Sequence, residues 1–358
     1  MTLNNEALLR NLVNADGIAG NEGEVRNIFK AAIEQNADEI FYDGLGSIVA
    51  QKGKQGKKVL FASHLDEVGF MVTKITEKGF IEFQTIGGWW AQVILAQKVR
   101  ITTRSGKKIK GVTGSKPPHV LTAEVRNKVY DIKDMFIDIG ATSKEEAEEW
   151  GVRLGDMITP DIEFERLNDG KFLLAKAWDN RIGTAAVIEA FNQLAKESLE
   201  TQLFAGGNVQ EEVGLRGATT ATHLVNPDIA FAVDTGTAGD TPGMTSKEAD
   251  SILGKGPQIL IYDASMLPQK ELLHFVTDTA DALKIPYQLT VISGGGTDAG
   301  KMHLTRSGVP SLAIGVPVRY LHSATTIIHE DDYLSLIKLL TEVVKRLDNK
   351  QIEKILNY

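Results

Sequence analysis

The chain contains no cysteine. Disulfides and thiolate metal ligands are therefore excluded, which leaves any metal to His, Asp and Glu, and the composition suits a reducing compartment. Blocks of basic residues are also missing, and the formal net charge of -8 argues against nucleic acid or an anionic membrane surface as a partner. No apolar run reaches the roughly 18 residues of a membrane span. The opening stretch, Met1 to Glu6, lacks a basic region followed by an apolar core, so the expected location is the cytoplasm. No internal repeat or low-complexity segment breaks the pattern.

What remains is an ordinary globular composition, 42% hydrophobic and 24% charged, in 358 residues. That length exceeds what one hydrophobic core usually supports, so a large domain with a smaller companion is expected. Leu8, Leu9, Leu12 and Val13 fall at helical spacing, and a second helix is expected after Asn21 as its cap, with Val25, Ile28, Phe29 and Ile33 on its buried face. Strands then alternate with helices, but from about Val68 to Asp161 short alternating segments separated by glycine turns predict a β-only module, interrupted by one helix capped at Ser143. Helix and strand alternation resumes at Lys171. The pattern predicts an α/β domain split between roughly 1–67 and 162–358, with a β-rich insert at 68–161.

The most informative stretch is Asn208 to Ala218, where Glu211 and Glu212 follow the apolar run Gln202 to Gly207. An adjacent pair of glutamates is ordinarily a solvated surface feature. Here it sits where a strand leaves a sheet, and two carboxylates held together repel unless one is protonated or a cation lies between them. One Glu as metal ligand and its neighbour as proton carrier is the reading this suggests. Other strands end in the same way: His64 with Asp66, Asp179, Asp234 and His322 each follow an apolar segment. The carboxyl ends of strands in an open α/β sheet face one crevice, so these residues can converge. His64, Asp179, Glu212, Asp234 and His322 fit the His and carboxylate set that two divalent ions require.

The motifs Ser63-His64-Leu65-Asp66-Glu67-Val68-Gly69, Trp178-Asp179-Asn180-Arg181, Val209 to Ala218, Asp234 with Ala238 to Gly243, and Arg319-Tyr320-Leu321-His322-Ser323 occur in one order along the chain. Together they resemble the dinuclear metallopeptidases of the tetrahedral (TET) aminopeptidase family, which includes glutamyl and deblocking aminopeptidases. The resemblance implies a mixed-sheet α/β catalytic domain with an inserted, barrel-like dimerisation domain. It implies two divalent ions per subunit, zinc first with cobalt or manganese also suitable, and removal of N-terminal residues from peptide substrates. Asp179 would bridge the ions, with His64 and Asp234 on one and Glu212 and His322 on the other. Glu211 would be the general base toward a water shared by the ions, and Asp66 the acid that orients the ligand histidine. A homo-oligomer of dimers assembling to twelve subunits is implied as well.

Competing readings are a glycoside hydrolase using Glu211 with another carboxylate, which gives the histidines no role, and a non-catalytic, metal-stabilised peptide-binding assembly. His329 reads as helix-entry surface, and His119, His223, His274 and His303 as structural. Trp89 and Trp90 read first as core. The loop Gly294 to Asp298 lacks the lysine of a phosphate-binding P-loop; the resemblance places Thr297 and Asp298 near substrate. Gln258 to Met266 contains no Arg or Lys, so strict glutamyl specificity is not expected.

Overall fold

The computed structural model describes residues 5–168 and 170–357; residues 1–4 of the stretch read for a leader, together with 169 and 358, lie outside them. A mixed eight-stranded sheet runs in the order Glu39–Tyr42, Ile48–Lys52, Gln202–Asn208, Lys58–His64, Ile229–Thr237, Ser311–Val318, Gln258–Asp263 and Gln288–Ile292. Its centre is parallel, from Gln202–Asn208 to Ser311–Val318. The flanking Ile48–Lys52 and Gln258–Asp263 run antiparallel to that centre. The central strands are buried almost throughout, as their continuous apolar runs require.

Helices cover both faces. One face holds the larger core, organised around the helix Trp178–Leu194, whose Ile182, Val187, Ile188, Phe191 and Leu194 are fully buried. A helix apolar on nearly every side belongs inside, and this one lies against the sheet and under Glu330–Arg346. The opposite face is covered by Arg216–Val225 and Ala299–Met302, which pack Ala218, Ala221 and Met302 on the sheet. Among the described residues no helix is long and apolar enough to cross a membrane.

The β-rich stretch closes on itself as a six-stranded antiparallel barrel, in the order Gly69–Ile75, Ile81–Ile86, Phe136–Asp138, Lys108–Gly114, Lys98–Thr102 and Met157–Pro160. It has its own core, including Phe70, Val72, Val99, Ile101, Ile137 and Ile158. The helix within it spans Lys144–Glu149, and Ser143 Oγ accepts the Glu146 N–H.

Three local readings change. The second helix spans Gly23–Ile33 with Glu22, not Asn21, at its cap position. The Glu22 carboxylate accepts the Gly20 and Gln210 N–H groups instead of capping the helix. His329 is buried rather than surface, accepting the Asp331 N–H at the start of Glu330–Arg346 and meeting Phe172 edge-on. The strand before Asp179, Phe172–Ala175, belongs to a separate three-stranded sheet with Glu165–Leu167 and Thr326–His329.

A buried ionic network joins barrel and sheet. Lys176 Nζ donates to both Glu67 carboxylate oxygens (2.7 and 2.9 Å), to Asp16 Oδ1 (3.1 Å) and to the Ala15 carbonyl (2.9 Å). Asp16 also accepts from Arg100, Lys108 and Thr159 of the barrel. Burial alone would raise the Asp16 carboxyl, but Lys176 and Arg100 hold it well below the usual carboxylate range. Removing one partner leaves uncompensated buried charge. Lys176→Ala is therefore expected to cost about 3–5 kcal/mol, seen as a lower urea midpoint, with partial recovery in Lys176→Met/Glu67→Gln. A midpoint unchanged in Lys176→Ala would contradict this role.

Candidate metal centre

Parallel pairing sets His64 beside Asn208, each the last residue of its strand, and Asp234 beside Gly315, both inside theirs, which gathers these positions at one rim of the sheet. Gly315 is needed for that approach, since a Cβ there would lie 2.4 Å from the Asp234 carbonyl oxygen. Asp234 lies within its strand, which continues to Thr237, rather than at its end.

Asp179 arrives from the other layer. Ala177 takes a left-handed φ of 55°, the Asp179–Asn180 peptide is cis, and regular helix dihedrals begin only after Asn180. The first turn then clamps the neighbouring strands: Asn180 Nδ2 donates to the Val233 carbonyl (2.8 Å), Arg181 Nε to that of Leu65 (2.9 Å) and Thr184 Oγ1 to that of His64 (3.0 Å). These bonds fix the bases of both His64 and Asp234 relative to Asp179. None of the three residues was picked out as functional from the sequence, although Asn180 and Arg181 lie in the motif around Asp179.

The result is a compact cluster. Asp179 presents one carboxylate oxygen to each histidine, Oδ1 to His64 Nε2 at 3.2 Å and Oδ2 to His322 Nε2 at 3.3 Å. Asp234 Oδ1 lies 3.6 Å from His64 Nε2, Glu211 Oε2 3.9 Å from the same nitrogen, and Glu212 Oε2 3.5 Å from His322 Nε2. Three groups have ligand atoms within 4.8 Å of one another: His64, Asp179 and Asp234; Asp179, Glu212 and His322; and His64, Glu211 and Glu212. All five expected ligands and Glu211 thus meet in one place.

The Asp66 carboxylate does more than face the histidine it was expected to orient. His64 Nδ1 meets the Asp66 backbone carbonyl at 3.0 Å, while the nearer carboxylate oxygen is 3.7 Å away. That carboxylate also accepts the Glu211 and Glu212 N–H groups at 3.0 and 3.1 Å. Asp66 thereby ties the segment after Lys58–His64 to the one after Gln202–Asn208. The neighbouring Gln210 and His322 both have left-handed φ, 57° and 55°, an uncommon backbone for such residues and one that clusters at functional sites.

The barrel contributes the roof. A Cβ on Gly87 would lie 3.3 Å from Glu212 Oε2, and one on Gly88 3.1 Å from His322 Nδ1. Trp89 is half-buried, stacked on Phe70 with its indole N–H on the Gly69 carbonyl, whereas Trp90 is 60% exposed rather than core. Thr297 lines the pocket and donates to Asp263, whereas Asp298 is buried outside its lining and accepts from Asn208.

The charge balance calls for cations. Asp179, Glu211, Glu212 and Asp234 line a cavity of about 300 Å³ with His64 and His322, and no Lys or Arg is among its lining residues. Glu212 Oε1 is buried without a hydrogen-bond partner. Burial, reinforced by Asp179, pushes the Glu212 carboxyl up to about 8. Burial also raises Glu211 well above the carboxylate range, opposed by His64 and reinforced by Asp234 and Glu212. For Asp179 the effect of burial is overcome by His322 and His64, which hold it below its usual value. His322 rises to about 9 because its Asp179 hydrogen bond and the Glu212 charge outweigh burial. Imidazole and carboxylate donors with an orphaned acceptor fit divalent ions.

The family model for the M42 glutamyl aminopeptidase matches residues 46–339. Glutamyl aminopeptidase of Lactococcus lactis subsp. cremoris (strain MG1363) is 38% identical over 351 residues, covering 97% of this chain and 98% of that one. The TET aminopeptidase from the marine sediment archaeon Thaumarchaeota archaeon SCGC AB-539-E09 superposes with a TM-score of 0.95 at 43% identity, covering 98% of both chains. The TET1 peptidase of Pyrococcus horikoshii, described as able to assemble into a tetrahedron or a large octahedral shell, gives a TM-score of 0.87 at 33% identity, covering 96% of this chain and 99% of its own.

The raised groups fix the sign of a pH effect. Without ions, folding lifts Glu212 to about 8 and His322 to about 9, so the stability they contribute is complete at low pH and lost as pH rises through those values. Metal competes with the same protons and stabilises more as pH rises. EDTA-treated protein should therefore lose melting temperature relative to zinc-loaded protein between about pH 6 and 9. Zinc binding at neutral pH should release protons, measured by calorimetry in buffers of different ionisation enthalpy. Binding without proton release would contradict the assignment.

Proposed function

Because this chain belongs to the M42 glutamyl aminopeptidase family and is a metal-dependent aminopeptidase, a hydrolase of peptide bonds, we propose that it removes neutral N-terminal residues from peptides at a dinuclear centre. The observation that carries this reading is the Asp179 carboxylate, which turns one oxygen to His64 and the other to His322. His64 and Asp234 with Asp179 would hold one ion, and Glu212 and His322 with Asp179 the other. Zinc suits this donor set first, and cobalt or manganese also suit it. When bound, the ions polarise the scissile carbonyl and make water acidic enough to lose a proton near neutral pH.

Glu211 supplies the proton traffic. Its carboxylate takes a proton from the attacking water and returns it to the departing amine, so the residue is regenerated each turnover. Asp66 keeps Glu211 in register by accepting its backbone N–H. The cavity of about 300 Å³ that the cluster lines extends past it toward Ile292 and Gly294 to Thr297, where one substrate side chain would sit. Beyond the cluster its walls are Leu215, Thr235 to Thr237, Ile292, Gly294 to Thr297 and Leu321, without charge to pair a Glu or Lys substrate. Neutral residues are favoured there.

We place the catalytic domain at 1–67 and 162–358 and the barrel insert at 68–161, with the barrel as dimerisation module. Assembly of dimers to twelve subunits is supported by the dodecamer described for the solved relative PhTET1-12s and the tetrahedron described for the Pyrococcus horikoshii peptidase. The barrel's exposed Val120, Val125 and Val129 supply apolar surface for such contacts. The cysteine-free composition fits a cytoplasmic location. Glycoside hydrolysis is not favoured, because it gives no role to two histidines bonded to one carboxylate.

Glu211→Gln is expected to lower kcat by about 10²–10⁴-fold with metal content unchanged. Among aminoacyl p-nitroanilides, the leucyl compound should exceed the glutamyl and lysyl ones in kcat/KM by at least about tenfold. Full activity in Glu211→Gln, or a glutamyl optimum, would overturn the corresponding assignment.

A further inference from the structure

A second cavity adjoins the catalytic pocket. It is a groove of about 800 Å³ between the barrel segment 88–97 and the loop Tyr320 to Thr325. Leu321 and His322 line both cavities, so the cluster stands at the junction of a small pocket and a larger groove. Resting on the aminopeptidase reading above, we propose that this groove binds the leaving side of the peptide and selects an apolar, above all aromatic, residue next to the scissile bond.

The two volumes fit the two parts of the substrate. Cleavage at an N-terminus detaches one residue and leaves the remainder of the chain as the departing amine. A pocket of about 300 Å³ suits the single residue, and the longer remainder needs a groove that continues outward. The chain would cross from one to the other at His322.

The groove's chemistry sets the preference. Its lining residues include no Lys, Arg, Asp or Glu, and Gln92, Gln97, Ser323 and Thr325 supply only neutral polar groups. Trp89 forms a fixed wall, stacked on Phe70 at 4.7 Å between ring centres and anchored by its N–H to Gly69. Trp90 and Tyr320 are exposed by 60% and 55%. Tyr320 is set by a left-handed φ of 62°, and its carbonyl accepts the Ser323 hydroxyl. Large rings left exposed beside a catalytic centre are platforms for stacking an aromatic side chain. With His322 taken up by the metal centre, a charged residue there would find no ionic partner among the lining side chains.

The test compares Leu-Phe-Gly, Leu-Gly-Gly, Leu-Asp-Gly and Leu-Lys-Gly as substrates of the full-length, zinc-loaded protein, beside Trp90→Ala and Tyr320→Ala. Wild type should favour Leu-Phe-Gly over Leu-Gly-Gly by about tenfold in kcat/KM, mostly through KM, with the charged peptides poorer still. Each variant should bring the Phe-to-Gly ratio toward one while sedimenting like wild type. A wild-type ratio near one, or a ratio unchanged in both variants, would overturn the proposal. So would variants that sediment as smaller species, since the groove would then be a contact between copies of the chain. Failure to cleave any of the peptides would instead remove the aminopeptidase reading on which the proposal stands.

Discussion

Four carboxylates cannot share a buried pocket unless positive charge is supplied to it, and the architecture around Asp179, Glu211, Glu212 and Asp234 follows from that constraint. His64 and His322 are the only cationic candidates among the residues lining the pocket. The folded chain without ions meets the repulsion by retaining protons, which is why Glu212 and His322 titrate far above their usual ranges. Ions do the same work with greater charge, and they also provide the Lewis acidity that amide hydrolysis requires.

The positions of these groups depend on a rigid frame. Parallel strands deliver His64 and Asp234, and the kinked start of Trp178–Leu194 brings Asp179 between them. Asn180, Arg181 and Thr184 bind the carbonyls of Val233, Leu65 and His64, so the helix cannot shift without moving the ligand-bearing strands. Asp66 performs the same service for the two glutamates, and the Lys176, Glu67 and Asp16 network holds the barrel against the sheet. The roof at Gly87 and Gly88 is consequently held close to Glu212 and His322.

Much of this was legible in the sequence because the signal repeats: apolar strands followed by His, Asp or Glu, with parallel pairing to bring the ends together. The less legible parts involve contacts that leave no periodic trace. Asp179 follows a strand like the others, but that strand lies in another sheet, and hydrophobic pattern does not say which sheet a strand joins. The cap at Asn21 was displaced because Glu22 is engaged by Gly20 and Gln210, the latter far along the chain. His329 looked solvated beside Glu330, Asp331 and Asp332, yet its ring is buried against Phe172. Asp66 was legible beside His64, but its bonds to the Glu211 and Glu212 N–H groups were not, since a carboxylate bound to backbone N–H groups has no side-chain signature. Trp89 and Trp90, adjacent and identical in type, divide between wall and exposed rim.

The central claim is that this pocket holds two cations with Asp179 between them. Diffraction from crystals of the zinc-loaded protein, measured on both sides of the zinc absorption edge, tests it directly. The account predicts two anomalous peaks per chain, one against His64 and Asp234 and one against Glu212 and His322, each in contact with an oxygen of Asp179. A single peak, or peaks away from Asp179 in fully active crystals, would contradict it.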